Sequence, residues 1–213
     1  MEKIREKITQ AFEGTVMGEN LKRLSQIYDE TDEECGEFCR RYNVHCTEGC
    51  GTCCENFVPD ITPVEAEFVA AYILLVKNDL TLINRIQAQG HTFCPLYDRE
   101  NPHHCQVYPV RPLVCRLFGQ CPSRMKDGSA DFRRCRFEGG KNMPSYLHFD
   151  SPDVKTMDDY GIRVHEISSD VSNLDEAVAR ALGTVFLTSS YLGILGVHLD
   201  DDTPNPTPSP QAS

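Results

Sequence analysis

The hydrophobic positions at the start of the chain repeat at the spacing of an amphipathic helix. Ile4, Ile8 and Phe12 lie four residues apart, which predicts a helix over 2–13. A second helix is predicted over 19–42. Its apolar stripe follows the 3.6-residue period and consists of Leu21, Leu24, Tyr28, Cys35, Cys39 and Tyr42.

A third helix, predicted over 63–77, has a well-marked beginning. Thr62 can cap it, Pro63 occupies its first position and Glu65 lies three residues after the cap. A further helical segment ends at Gly90. We therefore expect these helices to form the scaffold of the protein.

Two other helices are predicted in the second half of the chain. One is a short helix after Pro112, and the other covers 173–183 with Asn173 as its cap.

Short β-like runs replace the helical pattern after residue 92. The runs "FCPLY" and "HCQVYP" flank the turn-rich sequence "DRENPH", which predicts a β-hairpin. One more strand is predicted at "SYLHF". The predicted fold class is mainly α, with a small irregular cysteine-rich α+β metal-binding region that contains a short β-hairpin.

The length and the proline content predict how the chain is divided. A single domain is predicted over 1–201, with the cysteine-cluster region at about 46–135. Residues 202–213 are rich in proline and lack a hydrophobic pattern, so we predict a disordered tail there.

The charge balance excludes some classes of function. The chain has 21 basic and 32 acidic residues, a net charge of −11, which argues against nucleic-acid binding. A local basic patch at Arg133, Arg134 and Arg136 is interpreted as a solvated face. Neither a signal peptide nor a membrane-spanning apolar run is recognisable, so we expect a cytoplasmic protein with no membrane contact.

Eleven cysteines are the main anomaly of the composition. A chain of this size can bury a core without disulfides, and cytoplasmic thiols stay reduced, so clustered cysteines indicate metal ligands or catalytic thiols. The first set follows the pattern C-x3-C-x2-C-C. It consists of Cys46, Cys50, Cys53 and Cys54, with Gly49 and Gly51 allowing the backbone to fold tightly around a small object.

A second set of cysteines follows some forty to seventy residues later in the sequence. Four thiols plus four thiols would suit two tetrahedral sites or one larger cluster. Because adjacent residues point apart in an extended chain, Cys53 and Cys54 can serve two different sites, or one of them can lie behind the direct ligands. The second set consists of Cys94, Cys105, Cys115 and Cys121.

The blocks "CTEGCGTCC", "FCPLY" and "CQVYPVRPLVCRLFG" resemble the YkgJ-type cysteine-cluster family, whose members are described as zinc- or iron-chelating. Related motifs occur in flagellin lysine methylases. The resemblance covers roughly 46–121 and implies a bound metal or cluster without fixing a reaction. The last block matches C-x2-Y-x2-R-P-x2-C-R at Cys105, Tyr108, Arg111, Pro112, Cys115 and Arg116.

The position of the eighth cysteine varies within this family. Cys121 is our choice, with Cys135 as the alternative. Arg111 and Arg116 are candidate cofactor-binding residues, because a guanidinium group can donate hydrogen bonds to thiolate or sulfide sulfur.

The remaining cysteines and histidines carry weaker signals. Cys35 and Cys39 are interpreted as core residues, because they lie in the apolar stripe of the second helix. The histidines beside cluster cysteines, which are interpreted as ordinary surface residues, are His45, His103 and His104.

The spacing of the ligands favours an iron–sulfur cluster, preferably 4Fe-4S, over zinc. The second set lacks the paired C-x2–4-C knuckle of structural zinc sites, and Cys94 precedes a proline as cluster ligands often do. The predicted role is redox, electron transfer or sensing, with an acidic surface suited to a protein or redox partner. A zinc-stabilised interaction module and an enzyme with an open-site cluster are the alternatives.

Overall fold

The computed structural model describes residues 2–46, 50–88, 90–101 and 103–200. The predicted disordered tail at 202–213 and the predicted role of Gly49 lie outside these residues. Within them the protein is mainly helical. The α-helices are α1 (Glu2–Ala11), α2 (Val16–Tyr42), α3 (Pro63–Tyr72), α4 (Leu80–Ala88), α5 (Leu113–Leu117), α6 (Met157–His165) and α7 (Leu174–Tyr191).

Helix α3 begins as its sequence predicts. Glu65 accepts hydrogen bonds from the Thr62 backbone N–H at 2.8 Å and from the Thr62 hydroxyl at 2.9 Å, so the two residues form a capping box. The helix continues as a π-helical turn over Ile73–Lys77 and stops at Asn78, which is in the left-handed conformation. The predicted helix over 63–77 is thus confirmed.

The core lies between α2, α3 and α7. Helix α3 packs against both of the others, and α1 packs against α2. Tyr28 of α2 stacks on Phe68 of α3 with ring centroids 6.3 Å apart, and Val185 of α7 is fully buried in the same core. Residues from near both ends of the described chain therefore share one hydrophobic core.

A small antiparallel sheet covers the side of α2. Strands β2 (Ser123–Arg124), β3 (Ala130–Arg133) and β4 (Tyr146–Phe149) pair in that order. Phe132 of β3 is fully buried in a second small cluster with Cys39, Val44 and Met143. Two shorter strands, β1 (Asp60–Ile61) and β5 (Ser172–Asn173), pair separately and bring the beginnings of α3 and α7 together.

The predicted mainly α fold with a small β component is confirmed, but the β-hairpin lies elsewhere in the sequence. The arms predicted at "FCPLY" and "HCQVYP" meet at one isolated bridge, between Tyr97 and Cys105. The rest of that segment forms turns, in which the Tyr97 N–H donates to the Cys94 carbonyl at 3.1 Å and the Val110 N–H donates to the Val107 carbonyl at 2.9 Å. The strand predicted at "SYLHF" is confirmed as β4.

Two helices differ from their predicted extents. Helix α7 passes through Gly183, because its buried face continues to Val185 and Ser189. Helix α6 was not predicted, although Thr156 and Asp159 form a capping box at its start. In the described part of the chain, every helix is too short or too polar to span a membrane.

Candidate metal centre

Eight cysteine side chains line one cavity of about 220 Å³. One water molecule needs only about 10–15 Å³ of such space, so the cavity can hold more than a single ion. We call it the thiol cavity. Its cysteines are Cys46, Cys50, Cys53, Cys54, Cys94, Cys105, Cys115 and Cys135.

Seven of these eight cysteines are the ones that the sequence motif predicts as ligands. The eighth is Cys135, the alternative position, and Cys121 is not among the lining residues. The structure therefore brings together the first set of four cysteines, three of the second set and one cysteine from beyond the predicted motif.

The end of α2 carries Cys46 into the thiol cavity. Asn43 adopts the left-handed conformation after the last turn, and the Val44 N–H donates to the Cys39 carbonyl at 2.9 Å. Val44 is fully buried, so it anchors the chain just before the first cysteine. The position of Cys46 thus follows from the way the helix ends.

Successive turns place the next three cysteines on one side of the chain. The Cys54 N–H donates to the Gly51 carbonyl at 2.9 Å, and the Asn56 N–H donates to the Cys53 carbonyl at 3.1 Å. The Cys53 and Cys54 Sγ atoms lie 3.9 Å apart. The two adjacent cysteines therefore point to the same region, unlike adjacent residues of an extended strand.

Gly51 fills a tight position for a different reason than the sequence predicts. A Cβ atom there would lie 2.5 Å from the His104 Cβ and 2.7 Å from the Tyr97 ring. The glycine thus lets the turn pack against the segment that carries Cys105, and does not itself face the cavity.

Three further elements supply Cys94, Cys105 and Cys115. The Cys94 N–H donates to the Cys54 carbonyl at 2.9 Å, which fixes the two segments side by side. Cys105 forms the bridge with Tyr97. Cys115 lies on α5, the short helix that begins after Pro112 as predicted.

Gly139 lies directly against the sulfur atoms of the first two cysteines. A Cβ atom at this position would be 2.6 Å from Cys46 Sγ and 2.9 Å from Cys50 Sγ. The pKa of Cys50 is raised by burial, but this is outweighed by hydrogen bonds that favour the thiolate, from Thr52, Cys46 and the Gly139 backbone, and the net pKa is lowered. Close backbone approach of this kind is typical of thiolate sites that hold metals.

Burial keeps most of the other thiols of the cavity protonated. It raises the pKa of Cys105, Cys115 and Cys135. Burial and the neighbouring Cys50 thiol also raise the pKa of Cys46, to about 12. A cation that binds these thiols must therefore displace protons and supply the charge that stabilises the thiolates.

The electrostatic neighbours of each thiol divide the cavity into two groups. Cys46 interacts with Cys50, Cys53 and Cys135, and Cys135 interacts with Cys50 and Cys53. These four form the first group. The second group consists of Cys54, Cys94, Cys105 and Cys115. Cys53 also interacts with Cys54, Cys105 and Cys115, so it contacts both groups.

The neighbouring residues Cys53 and Cys54 join the two groups. Within the described residues, no three His, Cys, Asp or Glu side chains are already arranged tightly enough to hold one ion. The thiols thus face a shared space instead of converging on a point. Their number and their orientation suit a soft metal centre, for which thiolates are the preferred ligands.

Arg111 and its aromatic neighbours form one wall of the thiol cavity. The Arg111 guanidinium lies 4.0 Å from the centroid of the Tyr108 ring. The His103 ring stacks on Tyr108, with the two ring centroids 4.0 Å apart. The positive charge of Arg111 favours the thiolate forms of Cys105 and Cys115. Arg111 and His103 therefore lie where they can influence the centre.

Arg116, the second predicted cofactor-binding arginine, lies behind this wall. Its side chain is 1% exposed and donates hydrogen bonds to the Arg111 carbonyl at 3.0 Å, to the Pro109 carbonyl at 2.9 Å and to Asp32 at 2.6 Å. Its guanidinium also lies 4.0 Å from the Tyr28 ring centroid. Arg116 thus holds the loop before α5 against α2 and does not line the cavity.

Cys121 belongs to a separate thiol cluster beside α2. Its thiol interacts with the Cys35 thiol, and this interaction together with burial raises the pKa of Cys121. Cys39 lies nearby, with its Sγ atom 3.7 Å from the Gln120 carbonyl. Cys35, Cys39 and Cys121 are all nearly inaccessible to solvent, so they pack in the core between α2 and the end of α5.

The three candidate histidines lie in different surroundings. His45 is exposed, whereas His103 lines the thiol cavity. His104 packs against Tyr97, and its Nδ1 atom is buried without a hydrogen-bond partner among the described residues. Sequence reasoning missed Gly139, because a glycine far from the motif gives no signal until the chain is folded.

A comparison with protein families matches this region of the chain. Residues 45–136 match the CxxCxxCC family, described as a "putative zinc- or iron-chelating domain". The resemblance to YkgJ-type proteins is confirmed. The matched segment is less than half of the chain, and it includes every cysteine of the thiol cavity as well as Cys121.

Residues 45–136 thus resemble a family described as zinc- or iron-chelating, and they are set on a helical scaffold. Neither a curated protein nor a solved structure matches the chain. The family supports metal binding and a metal cofactor, and it names both zinc and iron.

Proposed function

We propose that this chain is an iron–sulfur protein with a redox role, in electron transfer or sensing in the cytoplasm. The observation that carries the proposal is the shared cavity, which is lined by eight thiols, twice the number that one tetrahedral ion takes. A multinuclear cluster uses more than one metal atom to bind ligands spread over such a space. The 4Fe-4S type is the favoured form, since it takes four thiolates.

The two thiol groups define which residues would hold the cluster. Cys46, Cys50, Cys53 and Cys135 would form one ligand set, and the cysteines around Cys54 would form the other. When bound, an iron–sulfur cluster supplies the capacity to accept and release one electron at a time. A single extended centre or two neighbouring clusters would both use all eight thiols.

The surrounding side chains would tune the centre and protect it. Phe118, Phe137 and Tyr108 line the cavity and exclude water. Arg111 offsets part of the negative charge of the thiolates. An acidic surface, from a net charge of −11, would favour docking to a basic protein partner.

A zinc-stabilised module is the second candidate. The Cys53 and Cys54 sulfur atoms are 3.9 Å apart. Two ligands of one tetrahedral zinc ion, with Zn–S bonds of about 2.3 Å, are separated by roughly 3.8 Å. This pair could therefore bind one zinc ion, or each member could bind one of two ions.

Anaerobic purification followed by metal, sulfide and absorbance analysis of one sample tests the proposal. Iron together with acid-labile sulfide and a broad band near ~400 nm is expected. Cys50→Ser and Cys115→Ser remove one thiol from each group. If the groups share one centre, each variant should lose most of the iron, whereas separate clusters should each lose about half. A colourless protein with stoichiometric zinc would contradict the proposal.

A further inference from the structure

A second cavity adjoins the thiol cavity. Its volume is about 540 Å³, within the range of roughly 300–1,000 Å³ that is typical of small-molecule sites. Phe118, Cys135 and Phe137 line both cavities and so form the wall between them. Because this second cavity is lined by Arg133, Arg134 and Arg136, we call it the arginine pocket.

The three arginines are unusual in an acidic protein. They occupy four consecutive positions together with Cys135, on a chain whose net charge is −11. In the described part of the chain, none of the three guanidinium groups forms an ion pair with a carboxylate. Arg136 lies over the Phe137 ring, with its guanidinium carbon 5.0 Å from the centroid. The pocket thus has a concentration of positive charge, with Arg133 near enough to Asp131 to help lower the pKa of that carboxyl group.

Asp131 is the carboxylate among the residues that line the arginine pocket, and it already has partners. The Tyr146 hydroxyl donates to Asp131 at 2.8 Å, and His148 Nδ1 lies 2.8 Å from the same oxygen. Asp131 is also nearly buried. It is therefore held mainly by β4, with a smaller contribution from the charge of Arg133, and Arg134 and Arg136 remain available to a ligand.

Most of the rest of the pocket is apolar, although Ser123 and Cys121 also belong to its lining. Its lining includes the side chains of Phe57, Met125 and Met157 as well as the two aromatic rings of the shared wall. Phe57 packs against Phe118 with ring centroids 5.6 Å apart. Aromatic and thioether surfaces of this kind bind the hydrophobic body of a ligand, while a few polar groups fix its orientation.

We propose that the arginine pocket binds an organic anion, namely a carboxylate or phosphate group on an apolar, preferably aromatic, body. Guanidinium groups recognise both anions through paired N–H donors, which explains three unpaired arginines at one end of an apolar pocket. The body of the ligand would lie against Phe118 and Phe137. Its binding would therefore be sensed at Cys135, which belongs to the thiol cavity. The pocket does not depend on which metal the cavity holds.

Isothermal titration calorimetry with four probes tests this site. The probes are 2-naphthoate, 2-naphthyl phosphate, the neutral 2-naphthalenemethanol and inorganic phosphate. At least one naphthyl anion should bind about tenfold more tightly than the neutral alcohol and than inorganic phosphate, because it alone offers both charge and apolar surface. The preferred anion distinguishes a carboxylate ligand from a phosphate ligand.

A pair of matched variants separates this pocket from general charge effects. The double variant Arg134→Gln/Arg136→Gln should lower the affinity for the naphthyl anion by about tenfold or more. The control Lys22→Gln/Arg23→Gln removes the same charge from exposed positions on α2 and should bind normally. Neither variant changes a thiol, so metal content measured on the same samples reports separately on the metal centre.

Three results would overturn the proposal: no naphthyl anion binds better than inorganic phosphate, the neutral alcohol binds equally well, or the arginine variant binds as the wild type does. The exposed side chains of Arg134 and Arg136 make misfolding an implausible cause of lost binding, and circular dichroism of the variant checks this.

Discussion

A side chain at Gly139 would overlap Cys46, because a Cβ atom there lies only 2.6 Å from the Cys46 sulfur. The glycine lets the backbone after Cys135 close over the first two cysteines of the motif. Its backbone is not in the left-handed region, so the constraint comes from the sulfur atoms alone.

Replacing Gly139 with alanine should therefore disrupt the thiol cavity. We expect metal affinity to fall by about tenfold and stability to fall by about 1–3 kcal/mol, the cost of overpacking a tight site. The control is Gly183→Ala on α7, where no atom lies near the added methyl group. That variant should gain up to about 1 kcal/mol. Metal analysis and thermal unfolding measure both effects, and normal metal content in Gly139→Ala would disprove the close approach.

Cys135 and Cys121 provide a direct test of which cysteine completes the site. Cys135→Ser should lower metal affinity by at least about tenfold, because it removes a thiol that lines the cavity. Cys121→Ser should keep the full metal content per folded protein, since this thiol interacts with Cys35 in the core and does not line the thiol cavity. The opposite pattern of metal loss would restore Cys121 as the ligand.

Replacing Arg116 and replacing Arg111 should change different properties of the protein, namely its stability and the midpoint potential of a bound cluster. Arg116→Gln removes a buried guanidinium group with three hydrogen-bond partners, so stability should fall by about 2–4 kcal/mol. Arg111→Gln removes a charge beside Cys105 and should instead lower the midpoint potential of a bound cluster, because the oxidised, less negative centre needs that charge less. Unfolding curves and potentiometry distinguish the two. Equal effects of both substitutions on the potential would contradict this division.

Glu65 links three helices, so replacing it with the neutral glutamine should lower the stability of the protein. Its carboxylate accepts from Thr62 and, at 2.7 Å, from the Leu113 N–H at the start of α5. Tyr28 also donates to it at 3.3 Å. Glu65→Gln should lose about 2–4 kcal/mol, since an amide nitrogen would face one of these donors. Denaturant unfolding measures the loss, and a change within error would show that the network is dispensable.

Glu67, two residues away, is the matched control, and its carboxyl group makes stability depend on pH. Burial raises the pKa of this carboxyl group. The folded protein therefore disfavours its charged form above that pKa and gains stability as pH falls through it. Glu67→Gln should be at least as stable as the wild type at pH 7, and the difference should shrink towards acid pH. A variant that is less stable at neutral pH would contradict the burial argument.

Much of the scaffold could be predicted because its signals are local. The Thr62–Glu65 capping box and the four-residue spacing of Ile4 and Ile8 each specify a helix within a few positions. Gly183 was a misleading signal, because packing of the following turns outweighs the cost of about 1 kcal/mol of a glycine inside a helix and continues α7. Tertiary packing thus overrides a local stop signal.

The candidate site could be predicted only in part. Cys94-Pro95 and the motif from Cys105 to Cys115 identify thiols that approach one another, because their order is specific. The choice between Cys121 and Cys135 depends on where the chain returns after β3, which spacing along the sequence does not determine. The role of Gly139 can be recognised only in the folded chain, where it lies beside Cys46 and Cys50. The same holds for the arginines around Cys135, which share a pocket only after folding.

X-ray absorption spectroscopy of the anaerobically purified protein at the metal edge tests the central claim most directly. A thiolate-bound iron–sulfur centre should give an iron edge with sulfur as the only neighbouring ligand and a second shell of iron at short distance. A zinc edge with four sulfur neighbours at about 2.3 Å and no metal–metal scattering would contradict it. So would a first shell dominated by nitrogen or oxygen, because the thiols of the cavity would then not hold the metal.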